Sequence, residues 1–337
     1  MTRRPAIVVP GLGRAIAPLA LGGWLTFGDR LDLPASLRLL HRAVEGGIDF
    51  LDVADVYAGG EAERIVGRFL GEVGRQRVVV ASKVFWPTSE RPEDRGLSRR
   101  HVHAAIEETL RRLATDHLDL YFCHREDPAT PLAETVQAMG DLVRAGKVRA
   151  WGTSCWQPAT LRRAHALARE LGVPAPAVEQ PRYNLLARGI EARIVPTCAD
   201  LGMPLVVCSP LAGGVLTGKY QTAAPPGSRG ERTDWLAEHR TPRCDHLVAR
   251  FLRACAERGL APAPVALAWA ASRPGVAAAI SGATTVGQLD ENLTALALCK
   301  SGVDLAWVGR AVPAPPAVRL RAWVAARCRR PLPLWSH

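Results

Sequence analysis

Short apolar runs alternate with stretches of helical periodicity along nearly the whole chain, and this alternation leaves few folds open. Runs of strand character fall at 19–23, around Phe50-Leu51-Asp52, and at 77–82, 118–123, 148–152, 177–179, 205–208 and 276–281. Between them, helical spacing covers 35–44, 132–144, 158–171, 190–201, 246–258, 265–271 and 288–298. A further helix follows Ser98, its cap. There Val102, Ile106, Leu110 and Leu113 share a face, and Glu107 and Glu108 stand four residues before Arg111 and Arg112. Strands separated by helices pair in parallel through right-handed crossovers, and eight such units are enough to close a (β/α)8 TIM barrel of the α/β class. An open doubly wound sheet is the competing arrangement. Against it stands Gly11-Leu12-Gly13-Arg14-Ala15-Ile16, which has Ile where a dinucleotide fingerprint needs a small residue and precedes the first strand instead of following it; it reads as a turn.

The expectation is a single domain over 1–337, with the barrel core at about 17–300. A Gly- and Pro-containing loop spans 211–242. The segment 301–337, with Pro313, Pro315 and Pro316, reads as an extended cover carrying a helix at 317–326 and a basic stretch at 327–330.

Apolar residues make up 48% of the 337 and charged residues 22%, the balance of a globular chain able to bury a large core. No uninterrupted apolar run is long enough to span a bilayer, and Met1-Thr2-Arg3-Arg4-Pro5 lacks a secretory pattern, so the expected location is cytoplasmic, away from any membrane. The formal charge of +11 raises nucleic acid as a partner. The excess is Arg scattered along helices with acids interleaved, at 99, 100, 111, 112, 162 and 163, which suits a solvated surface better. The eight cysteines form no metal-ligand spacing, and His101 and His103 are two apart on a helix, facing different ways; no metal site is expected.

Asp52 and Tyr57 lie five residues apart, and the next two strand runs lead to Lys83 and His124. Each of these residues stands at or just past the C-terminal end of a strand run, and in a closed barrel all such ends open on one face. An acid, a phenol, an amine and an imidazole gathered there suit proton transfer to a carbonyl oxygen, so the chain reads as an enzyme.

The chain resembles the aldo-keto reductases, within them the branch of the voltage-gated potassium-channel β-subunits and their bacterial reductase relatives. The likeness runs from Leu21-Gly22-Gly23-Trp24 through Asp52 to Gly60, Ser82-Lys83-Val84-Phe85-Trp86, Trp151-Gly152-Thr153-Ser154, Glu179-Gln180, Ser209-Pro210-Leu211-Ala212-Gly213-Gly214 and Gly218-Lys219-Tyr220 to Ser281-Gly282-Ala283-Thr284-Thr285. The resemblance implies reduction of an aldehyde or ketone, a biosynthetic intermediate among the candidates, by NADPH. Tyr57 would be the general acid, Lys83 paired to Asp52 would lower its pKa, and His124 would orient the carbonyl. Gly23, Trp24, Ser154, Gln180, Cys208, Ser209, Pro210, Leu211 and Gly213 would hold the nicotinamide and pyrophosphate; Lys219 and Arg229 the phosphates; Gly282, Thr284, Gln288, Glu291 and Asn292 the adenosine end. Trp24, Phe27, Trp86 and Trp156, with Phe85, would form the substrate rim. For Trp156 core packing is an equal alternative. The channel subunits carry Asn where His124 stands, and a basic residue near Cys155. The alternative function is a cofactor-binding redox sensor or regulatory subunit with little turnover. The implied partner is a small-molecule carbonyl substrate, and a homo-oligomer is compatible with the chain.

Overall fold

The computed structural model describes residues 7–318 except 227, 233 and 317. Eight parallel strands close in sequence order into a barrel: β1 (Leu19–Gly22), β2 (Phe50–Asp52), β3 (Val79–Val84), β4 (Leu118–Cys123), β5 (Val148–Thr153), β6 (Val178–Glu179), β7 (Leu205–Val207) and β8 (Val276–Ser281). The helices around it are α1 (Leu33–Glu45), α2 (Glu61–Val73), α3 (Arg99–Leu113), α4 (Leu132–Arg144), α5 (Pro158–Glu170), α6 (Ile194–Asp200), α7 (Arg229–Arg232), α8 (Pro242–Ala256), α9 (Pro262–Ala271), α10 (Val286–Ser301) and α11 (Ala306–Ala311).

Strand alternation sorts the core into two shells. Ala20, Phe50, Val79, Ala81, Leu120, Phe122, Val178, Val206, Ala278 and Ile280 fill the barrel. Their neighbours Leu21, Leu51, Val80, Tyr121, Leu205 and Ala279 meet the helices outside. The predicted turn forms the barrel floor: Val8 bridges Ala15 in antiparallel sense, and Val9, Leu12 and Ile16 pack into the interior cluster. Gly11 is required there, because its φ is +88° and a Cβ would come within 3.0 Å of Ala150 and of the Arg149 carbonyl.

Several boundaries differ from the sequence reading. The segment 211–242 is not a plain loop, since a 3-10 turn at Ala212–Thr217, α7 and a second 3-10 turn at Asp234–His239 occupy it. Helix α8 begins at Pro242, not 246: Thr241 accepts from the Cys244 amide and Pro sits at the first helical position, where its missing N–H costs nothing. Helix α9 starts three residues before the predicted 265 and is buried on every side, so no polar face marked its start. Residues 190–201 split into a 3-10 turn and α6. Part of the expected extended cover is α11, started by the Asp304 carboxylate accepting from the Ala306 amide and buried through Trp307, Val308 and Ala311. The helix expected at 317–326 and the basic stretch 327–330 lie outside the described residues, apart from residue 318. On α3, the expected pairing of Glu108 with Arg112 forms at 3.8 Å, although Arg112 bonds Glu63 more closely at 2.6 Å; Glu108 also pairs with Arg111, and Glu107 bonds Lys147 instead of Arg111. Among the described residues, no helix is long and apolar enough to cross a membrane, and no cluster of three or more His, Cys, Asp or Glu could hold a metal ion.

Candidate active site

The barrel interior determines which side chains reach its C-terminal mouth. Continuing the inward parity of Phe50, Ala81, Phe122, Ala150, Val178, Val206 and Ile280 by one more inward step, or two after Ala150, brings Asp52, Lys83, His124, Ser154, Gln180, Cys208 and Gly282 to the same end. The ladder holds past the formal strand ends. The His124 amide donates to the Val84 carbonyl at 3.0 Å, Ser154 to Cys123 at 2.9 Å, and Gln180 to Thr153 at 2.7 Å.

At the centre, Lys83 Nζ donates to Asp52 Oδ1 at 2.5 Å and to the Val53 carbonyl at 2.8 Å, while Gln180 Nε2 donates to Asp52 Oδ2 at 2.8 Å. Both oxygens of the acid are thereby held, and the lysine is wholly buried. Burial works against its charge, but attraction to Asp52 and Tyr57 prevails and its pKa stays raised. Lys83 Nζ lies 4.9 Å from the Tyr57 ring centroid, and Tyr57 meets His124 edge-on at 5.9 Å.

Two electrostatic consequences follow. The expected lowering of the Tyr57 pKa is not the net result: burial of the phenolate outweighs the pull of Lys83, which is itself countered by Asp52, and the phenol is pushed up to about 12. His124 is neutral, because burial and the charges of Lys83 and Arg125 push its pKa down to about 2. Its Nδ1 is buried without a partner.

Around this centre the other predicted residues fall into groups. Ser154 Oγ donates to the Gln180 carbonyl at 3.0 Å, and the exposed Cys155, in a left-handed conformation, lies beside the same carbonyl. The Cys208 thiol is pushed up to about 12 by burial. Ser209 turns the chain with φ +54°, its carbonyl held by Asn184, and leads into Pro210 and Leu211. The Arg229 guanidinium covers Trp24 at 4.8 Å and its Cδ would lie 3.6 Å from a Cβ on Gly213. Lys219 lies against Gly214 and over Tyr220 at 5.1 Å. At the start of α10, Gln288 Oε1 accepts from the amide and hydroxyl of Thr284, and Asn292 Nδ2 donates to the Gly282 carbonyl at 3.3 Å. Gln288 and Asn292 therefore shape that loop, and Glu291 is exposed on the next turn.

Two members of the expected rim are not at the mouth. Phe27 packs under Gly23 and Trp156 joins the outer core, each 1% exposed, because the bends after β1 and β5 turn these rings back toward the helices. Trp86 is 39% exposed, packs edge-on against Phe85 at 5.0 Å, and faces His124 at 6.3 Å.

The sequence reading missed two features. Arg125 donates to the His124 carbonyl at 2.5 Å and lies 5.8 Å over Trp86; its only signal was adjacency to His124. Behind the mouth, Glu63 accepts from Ser82 at 2.5 Å and from Arg112 at 2.6 Å. Beside it Asp55 is buried with both oxygens unpartnered, and burial followed by repulsion from Glu63 pushes its pKa up to about 8. Glu63 and Arg112 are 49 residues apart, beyond any local pattern.

Comparison with known proteins gives concordant matches. The sequence model described as "Aldo/keto reductase family" matches residues 18–305. A protein of Oryza sativa subsp. japonica named as a probable voltage-gated potassium channel subunit beta is 39% identical over 295 residues, covering 84% of this chain and 88% of the relative. Its counterpart in Arabidopsis thaliana is 38% identical over 291 residues with the same coverage, and a putative subunit of Schizosaccharomyces pombe is 34% identical over 295, covering 84% and 86%. With β2, β3 and β4 delivering Asp52, Lys83 and His124 to one mouth of a closed barrel, and the match running through all eight strands, this chain belongs to the aldo/keto reductase family and is similar to its channel β-subunit branch.

Proposed function

We propose that the protein reduces an aldehyde or ketone to an alcohol with NADPH, acting in the cytoplasm on a diffusible small molecule. The observation that carries this reading is the buried Lys83–Asp52 pair beneath Tyr57, with a neutral imidazole in edge contact with the phenol. The dinucleotide fits the residues present. Gly282 and Gly287 are exposed with nothing within 4 Å of a Cβ position, leaving room at the start of α10, and Ser154 and Gln180 are polar groups at the barrel mouth. Ser154, Gln180, Cys208 and the 209–213 turn would hold the nicotinamide half, Lys219 and Arg229 the phosphates, and the 282–292 segment the adenosine end. When bound, NADPH supplies the hydride.

The chain supplies the rest. Tyr57 keeps its proton through neutral pH and gives it to the carbonyl oxygen as negative charge develops there. Lys83, fixed by Asp52 and the Val53 carbonyl, stabilises the phenolate left behind. His124, uncharged, orients the carbonyl without competing as a proton donor. Gln180 keeps Asp52 in place.

A second reading, a cofactor-binding sensor or regulatory subunit, is favoured by the names of the relatives, which are channel subunits. The deciding experiment is a screen of aldehydes and ketones with NADPH oxidation as readout, in parallel with NADH. Turnover with a preference for NADPH of about tenfold or more, the value of a charge-assisted bond to the 2′-phosphate, is expected. Bound NADPH without turnover on any carbonyl would favour the sensor.

A further inference from the structure

We propose that Arg125 forms a cation subsite at the substrate mouth and selects carbonyl compounds that carry a carboxylate. The inference rests on the reductase reading above. Arg125 is the second residue after β4, and one of its donors is anchored on the His124 carbonyl at 2.5 Å. This contact ties the guanidinium to the strand end that presents the imidazole. Its Cζ lies over the Trp86 ring, 5.8 Å from the ring centroid, and Trp86 in turn meets His124 edge-on at 6.3 Å, so arginine, indole and imidazole form one wall beside Tyr57.

Among the described residues no carboxylate is within ion-pair distance of Arg125. The two acids next in sequence are engaged elsewhere: Glu126 accepts from the Gln157 amide, and Asp127 accepts from the Leu97 amide, the Ala129 amide and the Thr130 hydroxyl. The charge is nevertheless felt inside the mouth, where it disfavours protonation of His124 and favours the Cys208 thiolate across the barrel. A guanidinium has five donors in a planar fork. With one used on the backbone, the remainder suit a planar oxyanion, and the Trp86 face lies within cation–π reach of the fork. A substrate whose carbonyl lies against Tyr57 and His124 would extend its far end along this wall, where a carboxylate would be matched and a neutral chain would leave Arg125 facing only water.

The test pairs 4-carboxybenzaldehyde with methyl 4-formylbenzoate, which have similar shape and reactivity but differ in charge. In the parent, kcat/KM for the acid should exceed that for the ester by about tenfold or more, chiefly through KM, as expected for a charge-assisted hydrogen bond. The ratio should fall toward one in Arg125→Gln, and Arg125→Lys should retain part of it, since the charge survives without the fork. An acid-to-ester ratio near one in the parent, or a ratio that Arg125→Gln leaves intact, would overturn the subsite while leaving the reductase reading standing. Failure of both aldehydes would count against the reductase reading instead. Binding of terephthalate against its dimethyl ester, followed by tryptophan fluorescence, then decides the subsite alone. Preference for terephthalate abolished by Arg125→Gln upholds it, and no preference overturns it.

Discussion

Lys83→Met removes the only cation within ion-pair distance of Asp52 among the described residues. The two side chains are 0% and 5% exposed, so solvent cannot take over the lost partner. Methionine fills most of the volume of the lysine stem, which keeps the cavity term small. What remains is a buried carboxylate held by Gln180 alone, and leaving one member of such a pair costs about 3–5 kcal/mol. Asp52→Asn strands the ammonium in the same way. The double variant leaves neither charge, so its loss should be smaller than the sum of the two singles by about 1–3 kcal/mol. The assay is guanidinium unfolding at pH 7 by far-UV circular dichroism for parent, singles and double. The raised Lys83 pKa fixes the window. Its stabilisation is fully present below the unfolded lysine value of about 10.4 and is lost only as pH rises through the higher folded value, so pH 7 reports all of it. Additive losses would refute the picture of a coupled pair. In turnover, Lys83→Met should be the more damaging single, because Asp52 acts through the lysine; the reverse order would contradict that assignment.

Two further variants test the surroundings. The folded-state pKa of Asp55, pushed up to about 8, means that the folded protein binds a proton the unfolded chain releases near 3.8, so this residue's contribution falls as pH rises from about 4 to 8. Asp55→Asn, which mimics the neutral acid, should gain stability relative to the parent across that window, by at most about 1.4 kcal/mol per pH unit; a difference independent of pH would show Asp55 ionised throughout. His124→Asn should cut single-turnover oxidation of bound NADPH by at least about tenfold with little change in NADPH affinity, and the loss should be the same from pH 5 to 8 because the imidazole is neutral throughout. Equal rates for the two proteins would make His124 structural.

The barrel was legible in the sequence because strand runs and amphipathic helices carry different periods, and α3 announces itself through Ser98 and one apolar face. Asp52, Lys83 and His124 could be placed at one mouth because inward parity carries straight through the strand ends. What could not be read depends on contacts distant in sequence or on bends. Phe27 and Trp156 follow strands just as Trp86 does, but local turns bury two of these rings in the outer core and leave the third exposed. Helix α9 shows no polar face. The direction of the Tyr57 shift depends on how much water burial removes, which adjacency of a lysine does not reveal.

The central claim, that Tyr57 delivers the proton, is tested most directly by Tyr57→Phe. The ring and its contact with His124 are kept, and only the transferable proton is lost. Single-turnover oxidation of bound NADPH by an accepted aldehyde should slow by about 10²- to 10⁴-fold, while the affinity for NADPH measured by titration stays within a few-fold of the parent. A rate within a few-fold of the parent would contradict the account.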